Sequence, residues 1–333
     1  MQANAIAVPA AKTDDQSRFR RTGLKALYLK ELRDYFRSKR FLILLLLVTV
    51  VGLASVYSAT QGIQSAIDSG DSSFIFLKLF TTGGDSMLSF VTFMSLLGPI
   101  VGLALGFDAI NGERSHRTLS RLLAQPIYRD AVINGKFLAG VTVIGIMVFA
   151  LGFIISGIGI LVTGIAPLAE ELGRIIVFLF FTTVYISFWL GISMLFSLVF
   201  RHSATSALTS IAVWLFFAIF LSLLAGLIAN ALFPVTGSTD LDAQLANYKC
   251  NMTINRISPT TLYNESVSTI LDPTVRTTGI VLSTQLSGAV NGPLAFGQSL
   301  LLVWPHLTGL LAFTLVCFAV SYVVFMRQEI RAD

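Results

Sequence analysis

The sequence predicts an all-α integral membrane protein with six transmembrane helices, both termini on the cytoplasmic side, and an amphipathic interfacial helix ahead of the first span. Three observations carry that expectation. The chain is apolar as a whole, with a mean hydropathy of +0.77. Its apolar residues gather in six runs, each reaching the ~20 residues a helix needs to cross hydrocarbon. Its Lys and Arg residues fall mostly on one side of those runs, which orients the chain.

Composition narrows the class further. Of 333 residues, 54% are hydrophobic and only 12% are charged, against about 25% charged in soluble domains. The net charge of +5 would suit nucleic acid, but the basic residues flank the apolar runs and form no separate domain, so no nucleic-acid partner is expected. Cys250 falls in a loop and Cys317 deep in the last run, so the two are not expected to pair. Forty residues precede the first run, which is too long for a signal-peptide core, so it reads as a span and not a cleaved leader.

In chain order, residues 1–23 mix Ala, Asp, Gln and Lys and read as a disordered cytoplasmic tail. Residues 24–40, LKALYLKELRDYFRSKR, place Leu24, Leu27, Tyr28, Leu32 and Tyr35 on one stripe at helical spacing, with Lys25, Lys30, Arg33, Asp34 and Arg37 elsewhere. That pattern predicts an interfacial helix with its basic residues near anionic head groups. The spans follow at Phe41–Thr60, Ser86–Phe107, Phe137–Thr163, Ile175–Phe200, Ala204–Phe233 and Leu300–Met326. The third and fifth are longer than needed and have room to tilt or break. With the N-terminus inside, cytoplasmic segments hold ten Lys and Arg before the first span, five in 108–136, one in 201–203 and two after the last span, or 18 of 23. Residues 327–333 form a cytoplasmic tail, and the chain is placed as a multi-pass protein of the cytoplasmic membrane.

On the other side, residues 234–299 form the only sizeable soluble portion expected. Within it, Ser258-Pro259 is a helix start, with Ser258 as N-cap and Pro259 as first helical residue, leading a helical pattern over Thr260–Leu271. The Gly-rich 279–299 fits either a re-entrant or interfacial segment or a surface loop. Trp304-Pro305-His306 reads as an aromatic interface anchor followed by a helix start.

Small residues mark packing faces. Gly98, Gly102 and Gly106 recur every four residues in the second span, and Ser206, Ser210, Ser222 and Gly226 recur in the fifth. Such faces let helices approach closely, either within the chain or across a homodimer. The spans are almost free of ionisable residues, which argues against a proton- or ion-coupled carrier and for an apolar pathway. There is no G-x-x-x-x-G-K-[ST] phosphate loop, and His116, His202 and His306 lack further ligands at metal spacing. No cofactor, metal or catalytic residue is therefore expected on this chain, which reads as non-catalytic.

The connector between the second and third spans carries the most information. Asn111–Ala124 reads as a helix ended by Pro126. In order come Glu113, Thr118-Leu119, Leu122-Leu123, Pro126, Arg129 and Lys136. That order resembles the signature of the ABC-2 type permeases, E-x(4)-T-L-x-x-L-L-x-x-P-x-x-R followed by a Lys entering the next span. KELRDYFRSKRF resembles the same family's entry to the first span, and ISPTTLYNESVSTILDP its loop before the final span.

The resemblance implies a machine of two permease copies, as a homodimer, and two separate ABC ATPase subunits that bind ATP and Mg. It implies a coupling helix over about 109–130 that enters a cleft on the ATPase, with Glu113, Arg114, Arg117, Thr118, Leu119 and Arg121 as contact residues. Export of a hydrophobic or lipid-like substrate is then the expected activity. Two other classes stay open: an ATPase-driven mechanical module acting on an extracytoplasmic partner, motivated by the size of 234–299, and a secondary carrier, disfavoured by the uncharged spans.

Overall fold

A computed structural model describes residues 11–68, 74–82, 88–115, 118, 128–164, 166–234, 241–275 and 293–328. Every regular element among them is helical. Six helices are long and apolar enough to cross a membrane: Lys39–Thr60, Phe90–Ser115, Arg129–Val162, Ala169–Val199, Ser203–Leu232 and Phe296–Arg327. They coincide with the six expected runs, with three ends displaced by more than a few residues: the second ends at Ser115 and not Phe107, the third begins at Arg129 and not Phe137, and the fourth begins at Ala169 and not Ile175.

The first helix, α1 (Ala11–Arg37), starts earlier than the expected 24. Residues 11–22 of the expected disordered tail are helical, and residues 1–10 lie outside the described residues. A one-residue break at Ser38 separates α1 from α2 (Lys39–Asp68), the first span. The apolar stripe of α1 faces protein and not lipid: Leu27 is buried, the Tyr28 hydroxyl donates to Thr142 Oγ1 at 3.1 Å, and the Tyr35 hydroxyl donates to the Leu105 carbonyl at 3.3 Å. The helix therefore binds the bundle with the face that was expected to meet the membrane.

A short helix α3 (Ile75–Thr81) precedes the second span, α4 (Phe90–Gly106), whose first turn is capped by the Ser89 hydroxyl accepting from Thr92 N–H. After the one-turn α5 (Asn111–Ser115), the third span is α6 (Arg129–Thr163), ended by Gly164 at φ 68°. The fourth, α7 (Ala169–Val199), is the axis of the molecule and packs against the second, third and final spans. The Gly98, Gly102 and Gly106 stripe is one reason. A Cβ on Gly102 would lie 2.5 Å from the Ile186 carbonyl oxygen, and one on Gly106 2.9 Å from that of Leu190. Only glycine allows these backbones to meet, so the stripe seals α4 to α7 within one chain. Ser206 and Ser210 are likewise buried inside the chain.

The fifth span is interrupted. Helix α8 (Ser203–Leu215) passes through a π turn at Phe216–Phe220 into α9 (Leu221–Leu232). The largest departure from expectation follows it. Helices α10 (Leu241–Asn255) and α11 (Pro259–Leu271) form a hairpin that runs back alongside the spans. Asn247 Nδ2 on α10 donates to Asn230 Oδ1 and to the Phe233 carbonyl, at the far end of α9. The Ser258 hydroxyl at the hairpin tip donates to the Phe217 carbonyl, in the middle of the fifth span, at 3.1 Å. Ser258 does occupy the N-cap position, but its hydroxyl serves this contact and not the cap.

Helix α11 then returns along α7. Tyr263 lies against Thr182 at 3.0 Å, and Tyr185 against Thr260 at 3.1 Å, about 20 Å along α7 from its start. The rings of Tyr185 and Tyr263 stack with centroids 4.3 Å apart. The described part of 234–299 is thus a helical hairpin packed back along the spans; 235–240 and 276–292 lie outside the described residues. The hairpin is pinned to the final span, α12 (Phe296–Arg327), by Glu265, which accepts from Arg256 Nε at 3.0 Å and pairs with His306 Nε2 at 2.7 Å. His306 is therefore an internal partner rather than part of an interface anchor, and the helix runs through Pro305 from Phe296. Arg256 and Glu265, from the segment expected to be a loop, thus form a cluster with His306 of the final span.

Candidate functional site

The connector after α4 lies at the end of the bundle where α1 enters and α12 finishes, hereafter the basic end. Its local structure follows from unpaired helix ends. The N–H groups of Ile110 and Asn111 both donate to the Ser197 hydroxyl, at 3.0 and 3.1 Å, in the last turn of α7. The Asp108 carboxylate pairs with Arg40 at the start of α2, and the Arg40 guanidinium lies 5.2 Å over the Phe107 ring. These contacts hold the chain leaving α4 against two other spans before α5 begins.

Helix α5 carries Glu113 and Arg114, and both side chains turn inward. Glu113 Oε1 meets Lys136 Nζ at 2.8 Å, and Lys136 also meets Glu31 Oε2 at 2.9 Å. Lys30 closes the group, 2.9 Å from Glu31 and 3.9 Å from Glu113. One buried ammonium thus joins three elements: α1 through Glu31, the connector through Glu113, and α6 through Lys136 itself. Burial alone would raise the Glu31 carboxyl above its ordinary range, but Lys136 and the hydrogen-bonded Lys30 outweigh it and hold the pKa below. A charge buried this way is tolerable only while its partners remain, and removal of one partner costs about 3–5 kcal/mol.

Arginines supply a second set of ties. Arg114 donates to the Leu198 carbonyl at 3.4 Å and to the Gln328 side chain. Gln328 in turn donates to the same Leu198 carbonyl at 2.9 Å. Arg129, at the start of α6, donates to the carbonyls of Phe325 and Gln328 at 3.2 and 2.8 Å. The acceptors are the last carbonyls of α7 and α12, which have no partner within their own helices, and a cation there also meets the negative end of the helix dipole. The basic residues of the connector are thus matched to two helix C-termini.

Of the six expected contact residues, Glu113 and Arg114 are engaged inside the chain. Thr118 is exposed, its hydroxyl donating to the Glu113 carbonyl at 3.2 Å. Arg117, Leu119 and Arg121, like Pro126, lie outside the described residues. Glu31, Ser197 and Gln328 were missed. Only Glu31 left a signal: it sits on the apolar stripe at four-residue spacing from Leu27 and Tyr35, where a lone carboxylate needs an internal cation.

A second buried node sits at the opposite, far end. Arg174, in the second turn of α7, is fully buried and donates to Glu170, the Ile270 and Leu294 carbonyls and Ser299 Oγ at 2.6–3.2 Å. It ties the end of the hairpin and the start of α12 to the fourth span. Glu171 beside it accepts from Phe76 and Leu168 N–H.

Six candidate spans, a connector tied to its neighbours at the basic end and a helical hairpin packed along the spans at the far end define a polytopic membrane protein. Residues 25–330 match the model of the ABC-2 family transporter protein family, and the chain belongs to that family. As a member it is a membrane permease of the ABC-2 type. Over 121 residues it is 30% identical to the probable ABC transporter permease protein NosY of Stutzerimonas stutzeri, a match covering 36% of this chain and 39% of that protein. Over 117 residues it is 32% identical to the protein of the same description from Pseudomonas aeruginosa, covering 35% and 38%. The chain thus aligns with about two fifths of the length of these curated relatives.

Proposed function

We propose that this chain, as a homodimer in the cytoplasmic membrane, exports a hydrophobic or lipid-like substrate under the drive of a separate ATPase that holds ATP and Mg. The Lys and Arg asymmetry makes the basic end cytoplasmic, so the connector over about 109–130 faces that ATPase. The observation that carries the reading is the position of Glu113 and Arg114. They fasten the connector to α1 and α6 through Lys136, and to the ends of α7 and α12 through Leu198 and Gln328. A push on the exposed part of the connector then reaches four elements together, which is how a packed bundle converts a local displacement into a rigid-body shift.

The roles divide accordingly. Arg117, Thr118, Leu119 and Arg121 make the contact with the ATPase, while Glu113, Arg114, Lys136 and Glu31 transmit the displacement. The test is reconstitution with the ATPase in liposomes, reading transport and hydrolysis together. Lys136→Met leaves two carboxylates without their shared cation and is expected to unfold part of the population, with a loss of about 3–5 kcal/mol. The triple variant Glu31→Gln, Glu113→Gln, Lys136→Met removes all three charges, folds, and lowers transport per ATP hydrolysed. Wild-type coupling in that variant, or in Glu113→Ala with Arg117→Ala, would sink the proposal, as would failure of the ATPase to co-purify.

The node also predicts a pH dependence. Because the folded-state pKa of Glu31 is lowered, its contribution is fully present above the ordinary 4.5 and is lost as pH falls through the lowered value. Wild-type thermal stability should drop in that window, and Glu31→Gln should lack that part of the drop in a melting series.

A further inference from the structure

The helical hairpin creates a site that lies away from the connector. Along one face of α10, beside Phe233 at the end of α9, is a shallow, open cavity of about 410 Å³ lined by Phe233, Ala246, Lys249, Cys250, Thr253 and Ile254.

Three observations define what it takes. The first is depth. Asn247 is bonded to Asn230 and Phe233 near the end of α9, so Lys249 and Cys250, within one turn of it, sit about a turn inside the far end of the fifth span. That is the level at which head groups give way to acyl chains. The second is charge. Lys249 is exposed, and among the described residues no carboxylate lies within 4.0 Å of its ammonium. An ammonium at that level needs an anion or water, because hydrocarbon offers it neither. The third is the wall. The Thr253 hydroxyl is committed to the Lys249 carbonyl at 2.7 Å, which leaves Phe233, Ala246 and Ile254 as apolar surface and Lys249 as the cation. Further along α9, Leu223, Leu224 and Leu227 are uncovered.

We propose that this cavity binds the head of an anionic amphiphile, its charged group on Lys249 and its first methylenes against Phe233, Ala246 and Ile254. The same chemistry is supplied by an anionic bilayer lipid and by a free single-chain amphiphile. Neither the ATPase nor nucleotide is needed for binding, so the site stands or falls apart from the coupling reading.

Cys250 lines the cavity and reports on it directly. Its alkylation by N-ethylmaleimide is followed by peptide mass spectrometry, with Cys317 as an internal control in the same chain. The full chain is placed in phosphatidylcholine nanodiscs, with or without phosphatidylglycerol, and separately in neutral detergent with dodecyl phosphate or inorganic phosphate. Protection of Cys250 by several-fold in phosphatidylglycerol alone assigns the site to a bilayer lipid; protection by dodecyl phosphate as well shows that a free amphiphile enters. Lys249→Gln abolishes the protection and Lys249→Arg keeps it. Both sit at an exposed position, and an unchanged Cys317 rate verifies the fold. The proposal is overturned if neither amphiphile protects, if protection survives in Lys249→Gln, if Cys317 slows in parallel, or if inorganic phosphate protects as well as dodecyl phosphate.

Discussion

The fourth and fifth spans are adjacent in sequence, similar in length and both strongly apolar, yet the chain treats them in opposite ways. In the most apolar stretch of the fourth, 78% of the residues are buried inside the protein; in the fifth, 11% are. The fourth carries Thr182, Tyr185, Ser187, Trp189, Gly191, Ser193 and Ser197 among its buried residues, and most of their polar atoms bond to neighbouring helices or to their own preceding turn. The fifth turns Leu208, Leu223, Leu227 and Leu232 outward. Hydropathy selects a helix for the membrane; side-chain size and polar handles select its neighbours.

This contrast can be broken from the inside. Gly102→Leu would drive a side chain into the backbone of Ile186 and Leu190, where no flexible neighbour can give way. Overpacking a core usually costs about 1–3 kcal/mol, and against backbone the cost is at the top of that range or above. Loss of a monodisperse peak in fluorescence-detected gel filtration is the expected outcome, and a normal peak would mean that α4 and α7 do not pack this way.

Arg174→Met comes next. It strands the Ile270 and Leu294 carbonyls and Ser299 around an apolar side chain. Buried acceptors are left without their donor, and each costs about 1–3 kcal/mol. Melting in detergent should fall sharply, with proteolysis first appearing in 241–275. Unchanged resistance of that segment would show that the hairpin does not depend on α7.

The smallest effect is expected at Leu227→Ala, on the uncovered face of the fifth span. Surface changes away from special features stay within about 0.5 kcal/mol, so the melting temperature of a dilute, detergent-solubilised monomer should hardly move. A large loss that depends on protein concentration would sharpen the comparison instead, by showing that a second protein surface covers that face.

Much of the architecture was legible in the residues. A run of about 20 apolar residues has few alternatives to a spanning helix, so the spans fall where expected. The connector was recognisable from Glu113, Thr118-Leu119, Pro126 and Arg129, although which of its residues face inward was not. That depends on Lys136, Ser197 and Gln328, which are brought together only by the tertiary fold. The hairpin was half visible. Ser258-Pro259 marked the start of α11, whereas α10, with Asn, Gln, Lys and Asp spread around it, carries no apolar stripe and looks like a soluble loop. The packing of the hairpin arises from Asn247, Ser258 and Glu265 finding partners on the spans, and no local pattern encodes those pairs.

Arg174 also sets an order of assembly. Its acceptors at Ile270, Leu294 and Ser299 lie 96, 120 and 125 residues further along the chain. At roughly 5–20 residues per second, a ribosome needs about 6–25 s to supply the last of them after Arg174 is made. During that interval the guanidinium has Glu170, one turn earlier on its own helix, and the Phe74 ring, but none of its carbonyl acceptors. The fourth span therefore completes its contacts late, when the sixth arrives. A truncation before Phe296 would leave the central helix of this protein unanchored at its far end.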